Sequence, residues 1–482
     1  MVFSRNKQSG SPSRIPDADR IPLPQKAAFS FGYGVDYLAA GLTTSILWMP
    51  FFNIGLGISP MLLGVMLMVL RAWDALTDPI MGNISDNTRT RFGRRRPYIL
   101  IGALLTAALY LCLWRIPEGL GAVKQFTTLC IVGILFFTCF TMWSIPFYSL
   151  QMELTPNYDE RTRLSAWVAI SGKFIYLCGG WVMALATCKL FADPETGEAD
   201  IVAGMQATSW LIAIVIVIMG LVTAIFVKER YYETATVNRK SSGLIDSIKE
   251  SLHCAPLWYL IGISFFLIAG SSISNTLGQY VSIYILFDGD LSAASVLNGW
   301  RSTGVMVIGI ISIPVWTWLS EYLDKKIIVS CMLAGTFLGH TLNVIFINPD
   351  MPYLWLISSV FESGAIGAVW LFLPSMKADV ADYDELDTDQ RREGSLNAFY
   401  SWFVKVAFTV GAGMGGFILQ STGFDANLDA QSAEALFRMK WVYILLPLVL
   451  WSLSLYFIIR YPLKRDRMGE IRSELEMRRG QV

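Results

Sequence analysis

Residues 70–98 read Leu70-Arg-Ala-Trp-Asp-Ala-Leu-Thr-Asp-Pro-Ile-Met-Gly-Asn-Ile-Ser-Asp-Asn-Thr-Arg-Thr-Arg-Phe-Gly-Arg-Arg-Arg-Pro-Tyr98. An apolar segment that carries Arg71, Asp74 and Asp78 and then breaks into a loop with five arginines is not ordinary lipid-facing helix. The three charges stand at i, i+3 and i+7, so they share one helix face. Ionisable side chains at membrane depth are costly; they face the protein interior or a water-filled path and mark functional sites. The reading therefore turns on whether this stretch lies in a membrane.

Composition says that it does. Of 482 residues, 54% are hydrophobic and 16% charged, against about 25% charged in soluble domains. So little polar surface cannot cover a soluble globule of this size, whereas a bilayer asks for about 20 mostly apolar residues per spanning helix. The formal net charge of zero points to neither nucleic acid nor an anionic partner. Residues 1–25 are polar, Pro-rich and basic without an early apolar core, which predicts a disordered cytosolic tail rather than a cleavable signal. The seven cysteines contain no C-x-x-C and mostly lie in apolar spans, where they read as small packing residues.

Twelve apolar spans follow: 26–52, 60–84, 97–116, 125–150, 162–190 and 204–227, then 256–287, 293–319, 326–347, 353–380, 395–421 and 435–461. Two sets of six, 26–227 and 256–461, flank a polar linker at 228–255, and a charged tail closes the chain at 462–482. Placing both termini on one side puts 29 of the 38 lysines and arginines there and 5 opposite. That asymmetry predicts cytosolic termini, in a bacterial inner membrane. The expected fold is all-α and polytopic, two six-helix bundles of the major facilitator kind with solute binding between them near the midplane. Repetition between the halves is faint: residues 318–326, Trp-Leu-Ser-Glu-Tyr-Leu-Asp-Lys-Lys, stand where the first half has its arginine-rich loop.

Several motifs carry a resemblance. Residues 71–82 with 88–97 are similar to the signature of the glycoside-pentoside-hexuronide cation symporters, the family of the melibiose carrier. Ile145-Pro-Phe-Tyr-Ser-Leu150 repeats the likeness, as do Ala378-Asp-Val-Ala-Asp-Tyr-Asp-Glu385 with Arg391-Arg-Glu-Gly394, and Val404-Lys405. The motifs fall in order over almost the whole chain. The resemblance implies a symporter moving a sugar or glycoside by alternating access.

The residues say part of this themselves. Asp74 and Asp78, one turn apart, put two carboxylates within reach of one small cation, and Thr77 and Thr141 add hydroxyls. Oxygen ligands suit a hard ion such as Na+, while protonating one carboxylate neutralises the pair equally well. The family's cation site matches Asp74, Thr77, Asp78 and Thr141. An amide replaces Thr77 in the melibiose-type carrier, which leaves Na+, H+ and Li+ open. Arg71 is expected as an ion-pair partner that leaves a residual negative charge. No organic cofactor and no resident metal beyond a transported Na+ are expected.

For the solute, Asp36 stands alone in the first span, and a carboxylate beside aromatics can grip sugar hydroxyls. The resemblance adds Ser144, Tyr148, Trp370 and Lys405 by position, and Trp143 and Lys173 stand beside them as further candidates. Ser144 replaces a second sugar-binding Asp of the family, and Lys173 lies one turn beyond the position of a family Arg. A pairing of Lys405 with Asp36 or Glu362 is the alternative for that lysine, and His340 is expected as a hydrogen-bonded core residue. A cytosolic latch is expected from Asp86, Arg94, Arg95, Arg96, Glu153, Asp379 and Asp382. The alternatives are a carrier of an anionic sugar acid, sulfonate or lipid-like amphiphile, or a non-transporting sensor on the same fold. No H-E-x-x-H, G-x-S-x-G or P-loop argues for an enzyme. A monomer carrying a small, carbohydrate-like solute is expected.

Overall fold

The computed structural model describes residues 20–117, 119, 121–155, 158–194, 197, 199–229, 252–388, 393–426, 428 and 430–479. Most of the expected tail at 1–25 and of the linker at 228–255 lies outside the described residues. Among the described residues the fold is helical, and the one β pairing is an isolated bridge between Ala192 and Ala199.

Twelve segments form the bundle. Segment α1 starts as Leu23–Gly32 and Gly34–Asp36 and continues through π-helical turns at Tyr37–Gly41, Thr43–Leu47 and Pro50–Gly55. The next are α2 (Pro60–Asn87), α3 (Arg96–Leu113), α4 (Ala122–Glu153), α5 (Tyr158–Gly179, continued by Val182–Ala186) and α6 (Ile201–Phe226). The second set is α7 (Ala255–Tyr280, with a π turn at Val281–Leu286), α8 (Leu291–Tyr322) and α9 (Lys325–Thr341). It ends with α10 (Leu356–Gly367, a π turn at Ala368–Phe372, then Leu373–Thr388), α11 (Glu393–Ser421) and α12 (Ala433–Arg460).

Among the described residues, ten helices are long and apolar enough to cross a membrane. Segments α1 and α10 are the other two; each is interrupted by π turns, which recur at functional sites because they re-aim side chains. Helix starts follow local chemistry. Ser59 accepts from Leu62 N at 3.3 Å ahead of Pro60, and Asp200, Asp290, Asp324 and Ser432 cap α6, α8, α9 and α12 in the same manner.

Proline shapes the helix interiors. Pro79, Pro146, Pro314 and Pro447 sit inside α2, α4, α8 and α12, and each withholds the N–H that the carbonyl four residues earlier would accept. For Pro447 that carbonyl belongs to Tyr443, and His340 Nε2 lies 2.9 Å from it. The His340 ring, fully buried, therefore donates through Nε2, and its Nδ1 lies 3.3 Å from the Asn343 amide and 3.8 Å from Glu362 Oε1. This is a structural histidine.

Packing separates two sets of six. In the first, α3 lies against α4 and α6, and α1 against α5 and α6; in the second, α7 lies against α11 and α12, and α9 against α10 and α12. The sets meet along three pairs, α2 with α11, α5 with α8, and α1 with α7. Glycine makes the first crossing possible: a Cβ on Gly64 would stand 2.3 Å from Gly413 O, and one on Gly416 2.1 Å from Pro60 O. Such close backbone approach between helices needs residues without side chains. Tyr280 donates to Asn53 Oδ1 at 2.8 Å, Gln279 to Ser45 O at 3.1 Å, and Trp181 to Thr303 Oγ1 at 3.0 Å. All these contacts lie toward the bundle end remote from the arginine-rich loop.

The charged tail forms α13 (Arg465–Arg479), packed on the last part of α10. Met468, Ile471 and Leu475 recur along one face and are buried, which leaves the charges outward.

Candidate functional site

The α2 face places its carboxylates at two levels of exposure. Asp74 is buried, and Thr141 of α4 donates to its Oδ1 at 2.9 Å. Thr77 Oγ1 lies 3.3 Å from Thr141 Oγ1 and 3.2 Å from Asp74 O. Asp78, one turn on, forms an ion pair with Lys405 of α11, the lysine being about half exposed. Pro79 and Pro146 free the carbonyls of Ala75 and Met142, next to this cluster. Two carboxylates, two hydroxyls and unsatisfied carbonyls supply oxygen only, the donor set of a hard cation.

Arg71 does not bridge the pair. Its Nη2 donates to Thr44 Oγ1 at 3.1 Å and its guanidinium lies 5.7 Å from the Phe137 ring centroid. It acts on Asp36 and Asp78 through space, as Lys405 does. Asp36, Asp74 and Asp78 thus share one electrostatic field with two cations, and the cluster is formally one negative charge in excess.

Asp36 closes the α-helical start of α1, where the π turns begin. Its carboxylate lies beside the Tyr148 hydroxyl, and the Tyr33 ring meets Tyr148 edge-on at 6.4 Å. Ser144 is buried one turn before Tyr148. Lys173 of α5 faces the other six helices, its Nζ 3.9 Å from where a Gly309 Cβ would stand on α8, and it has no carboxylate partner among the described residues.

Several expectations need correction. Trp143 is 0% exposed, stacked on Phe147 at 4.7 Å and packed against Gly102 of α3, so it belongs to the core of its bundle rather than to a cavity wall. Trp370 is exposed, on the π turn of α10, a placement that leaves its expected role as a cavity wall untouched. Lys405 meets Asp78, neither Asp36 nor Glu362, because α2 and α11 cross tightly and bring those two side chains level. Glu362 instead holds Arg301, at 2.7 and 2.5 Å.

The candidate latch residues fall as follows. Arg95 pairs with Asp86 at 3.0 Å, and the Glu229 carboxylate accepts from the backbone N–H groups of Arg94, Arg95 and Arg96 at 3.0, 2.8 and 3.1 Å. Arg96 donates to Ala224 O at 2.7 Å and Ile225 O at 3.1 Å. Asp379 pairs with Lys325 at 2.6 Å, and Asp382 follows one turn later on α10. The Glu153 side chain lies outside what is described. Sequence reasoning missed Thr44 as the Arg71 anchor and Glu229 as the loop's cap; an acid just after an apolar span was the available signal for Glu229.

Residues 30–465 match the family model described as MFS/sugar transport protein. The chain belongs to this family. Members similar to it include the isoprimeverose transporter of Lactiplantibacillus pentosus, 25% identical over 98% of this chain and 95% of that one. The glucuronide carrier protein homolog of Escherichia coli is 26% identical over 88% and 89%, and the sodium-dependent lysophosphatidylcholine symporter 1-A of Danio rerio 23% over 94% and 88%. Among solved structures, a D-xylose-proton symporter superposes with a TM-score of 0.57 at 14% identity over 89% of this chain and 95% of that one. A bacterial homologue of the lysosomal transporter Spinster, in an inward-facing, occupied conformation, gives 0.64 at 12% over 90% and 96%. These neighbours establish the fold. The likeness to glycoside-pentoside-hexuronide cation symporters holds, and this MFS/sugar transport protein is an integral membrane protein with relatives that are transporters.

Proposed function

We propose that the chain is a cation-coupled symporter of a sugar or glycoside, working by alternating access in a bacterial inner membrane with both termini cytosolic. Residues 26–227 and 256–461 are its two moving bodies, joined in this form by contacts at the end remote from the arginine-rich loop. The observation that carries this reading is the Asp78–Lys405 ion pair across the two bodies, beside the buried Asp74–Thr141 bond. A cation arriving at Asp74 and Asp78 competes with Lys405 for the Asp78 carboxylate. Released, the lysine positive charge shifts the balance around Asp36, so the ion site and the solute site share one charge ledger.

The energetics suit accumulation. One positive charge moved through 100 mV releases about 2.3 kcal/mol, and each 1.4 kcal/mol is about tenfold, so one coupled ion supports about fifty-fold accumulation of a neutral solute.

Counterflow in proteoliposomes, with labelled neutral sugars and sugar acids and with or without Na+ or a pH gradient, tests the proposal. Stimulation of one solute by one cation is expected; solute movement indifferent to every cation would overturn it. A second reading, a solute with an acidic group, is supported by Lys173, an intramembrane cation facing the other body with no carboxylate partner among the described residues. Its mark is preference for the sugar acids of that panel, lost in Lys173→Gln.

A further inference from the structure

Beyond the Asp36 cluster, where α1 and α5 meet α7, α8 and α10, the two sets of helices line a partly open cavity of about 90 Å3. Tyr176 stands between the two regions, with its ring 4.7 Å from that of Tyr37, the neighbour of Asp36. The far wall is polar. Asn275 and Gln279 stand one turn apart on α7, and Asn298 and Arg301 on α8.

The Arg301 guanidinium is fixed on three sides: Nη2 donates to both Glu362 oxygens, the same nitrogen reaches the Tyr443 hydroxyl at 3.5 Å, and the group lies 4.1 Å from the Trp355 ring centroid. The Asn275 amide, exposed beside it, makes no hydrogen bond to a described residue, and the Gln279 carbonyl oxygen stays available because only its Nε2 is used, on Ser45 O. Glu362 cancels the Arg301 charge, so the wall offers donors and acceptors without net charge. The cavity is partly open, so a sugar ring can lay its hydroxyl edge against this wall, and tyrosine faces suit its apolar side.

We propose that this cavity is a second solute subsite, which takes a neutral, hydroxyl-bearing ring attached to the ring held near Asp36; this rests on the sugar-symport reading above. The walls come from both bodies: Gln279 bonds Ser45 across them, and a Cβ on Gly180 would stand 2.5 Å from the Ser302 Cβ. The subsite therefore exists only while this end of the bundle is closed, and a two-ring solute stabilises that closed end.

The test is competition in proteoliposome counterflow, with D-xylose, D-glucose and D-galactose against the disaccharides isoprimeverose, cellobiose and melibiose. In Asn275→Leu, an exposed position where folding is little challenged, the half-saturating concentration of a transported disaccharide should rise about tenfold more than that of its component monosaccharide. Arg301→Lys, which keeps the charge beside Glu362 and takes the guanidinium out of the cavity wall, should move the same ratio in the same direction. Equal losses for both sugars, or none, overturn the subsite and leave the transport reading standing. Absence of counterflow by every sugar in the unsubstituted protein overturns the transport reading and the subsite with it.

Discussion

At the residue scale, the decisive property is that Asp74 and Asp78 share a helix face but not an environment. Asp74 is buried and held by Thr141, whereas Asp78 meets a lysine from the other half in a wetter position. A hydrogen bond to a charged group is worth about 1.5–3 kcal/mol, so Thr141→Val should weaken the apparent affinity for the coupling cation by about tenfold or more. Titrating cation-stimulated counterflow measures this; an unchanged half-saturation would remove Thr141 from the site. Asp78→Asn should abolish uphill accumulation while leaving solute exchange down its gradient, read by comparing the two assays in one preparation. Lys405→Gln should raise cation affinity, because the competing positive charge is gone, and should loosen coupling; lower cation affinity would mean that Lys405 assists binding rather than competing. Asp36→Asn should weaken solute affinity and spare cation binding.

At the scale of elements, two features rest on what a backbone can reach. The crossing of α2 and α11 is set by Gly64, Gly413 and Gly416, where any side chain would enter the opposing backbone or Met68. Gly64→Val should pry that end open. Faster hydrogen–deuterium exchange over 45–66 and 411–420 together with lost transport is the expected result, and native exchange with native transport would contradict it. The second feature is the repair of the Pro447 break by His340. His340→Leu leaves the buried Tyr443 carbonyl without a donor, a loss of about 1–3 kcal/mol, visible as a lower midpoint of thermal unfolding. Adding Pro447→Ala should recover part of that loss, since the substituted residue brings a backbone N–H that can serve the Tyr443 carbonyl; strict additivity of the two changes would refute the pairing.

At the scale of the whole molecule, the contacts that join the two sets at the end remote from the arginine-rich loop make a prediction about motion. Spin labels at Asn87 and Tyr322, near the arginine-rich loop end of α2 and the matching end of α8, should approach when cation and a transported sugar are added together, and labels at Leu190 and Leu428 at the opposite end should separate. Unchanged distances in both pairs would argue against rocking bodies. Periodicity and composition alone were enough for the all-α polytopic fold, because lipid leaves a chain few ways to satisfy its backbone. The chemistry of the α2 face was legible too, since charges at i, i+3 and i+7 in an apolar span have one geometric meaning. Partner choice was not legible. Lys405 with Asp78, Glu362 with Arg301, and Glu229 on the arginine loop each join segments at least 61 positions apart in the chain. Trp143 shows the same limit from the other side: its helix was evident, but whether it faced a cavity or Phe147 depended on how α4 is rotated against α3. Sequence by itself determined which residues are too polar for lipid and must turn inward. Only the tertiary structure decided which of them meet, because one lysine can serve any of three carboxylates until helix crossings fix which lies at its level.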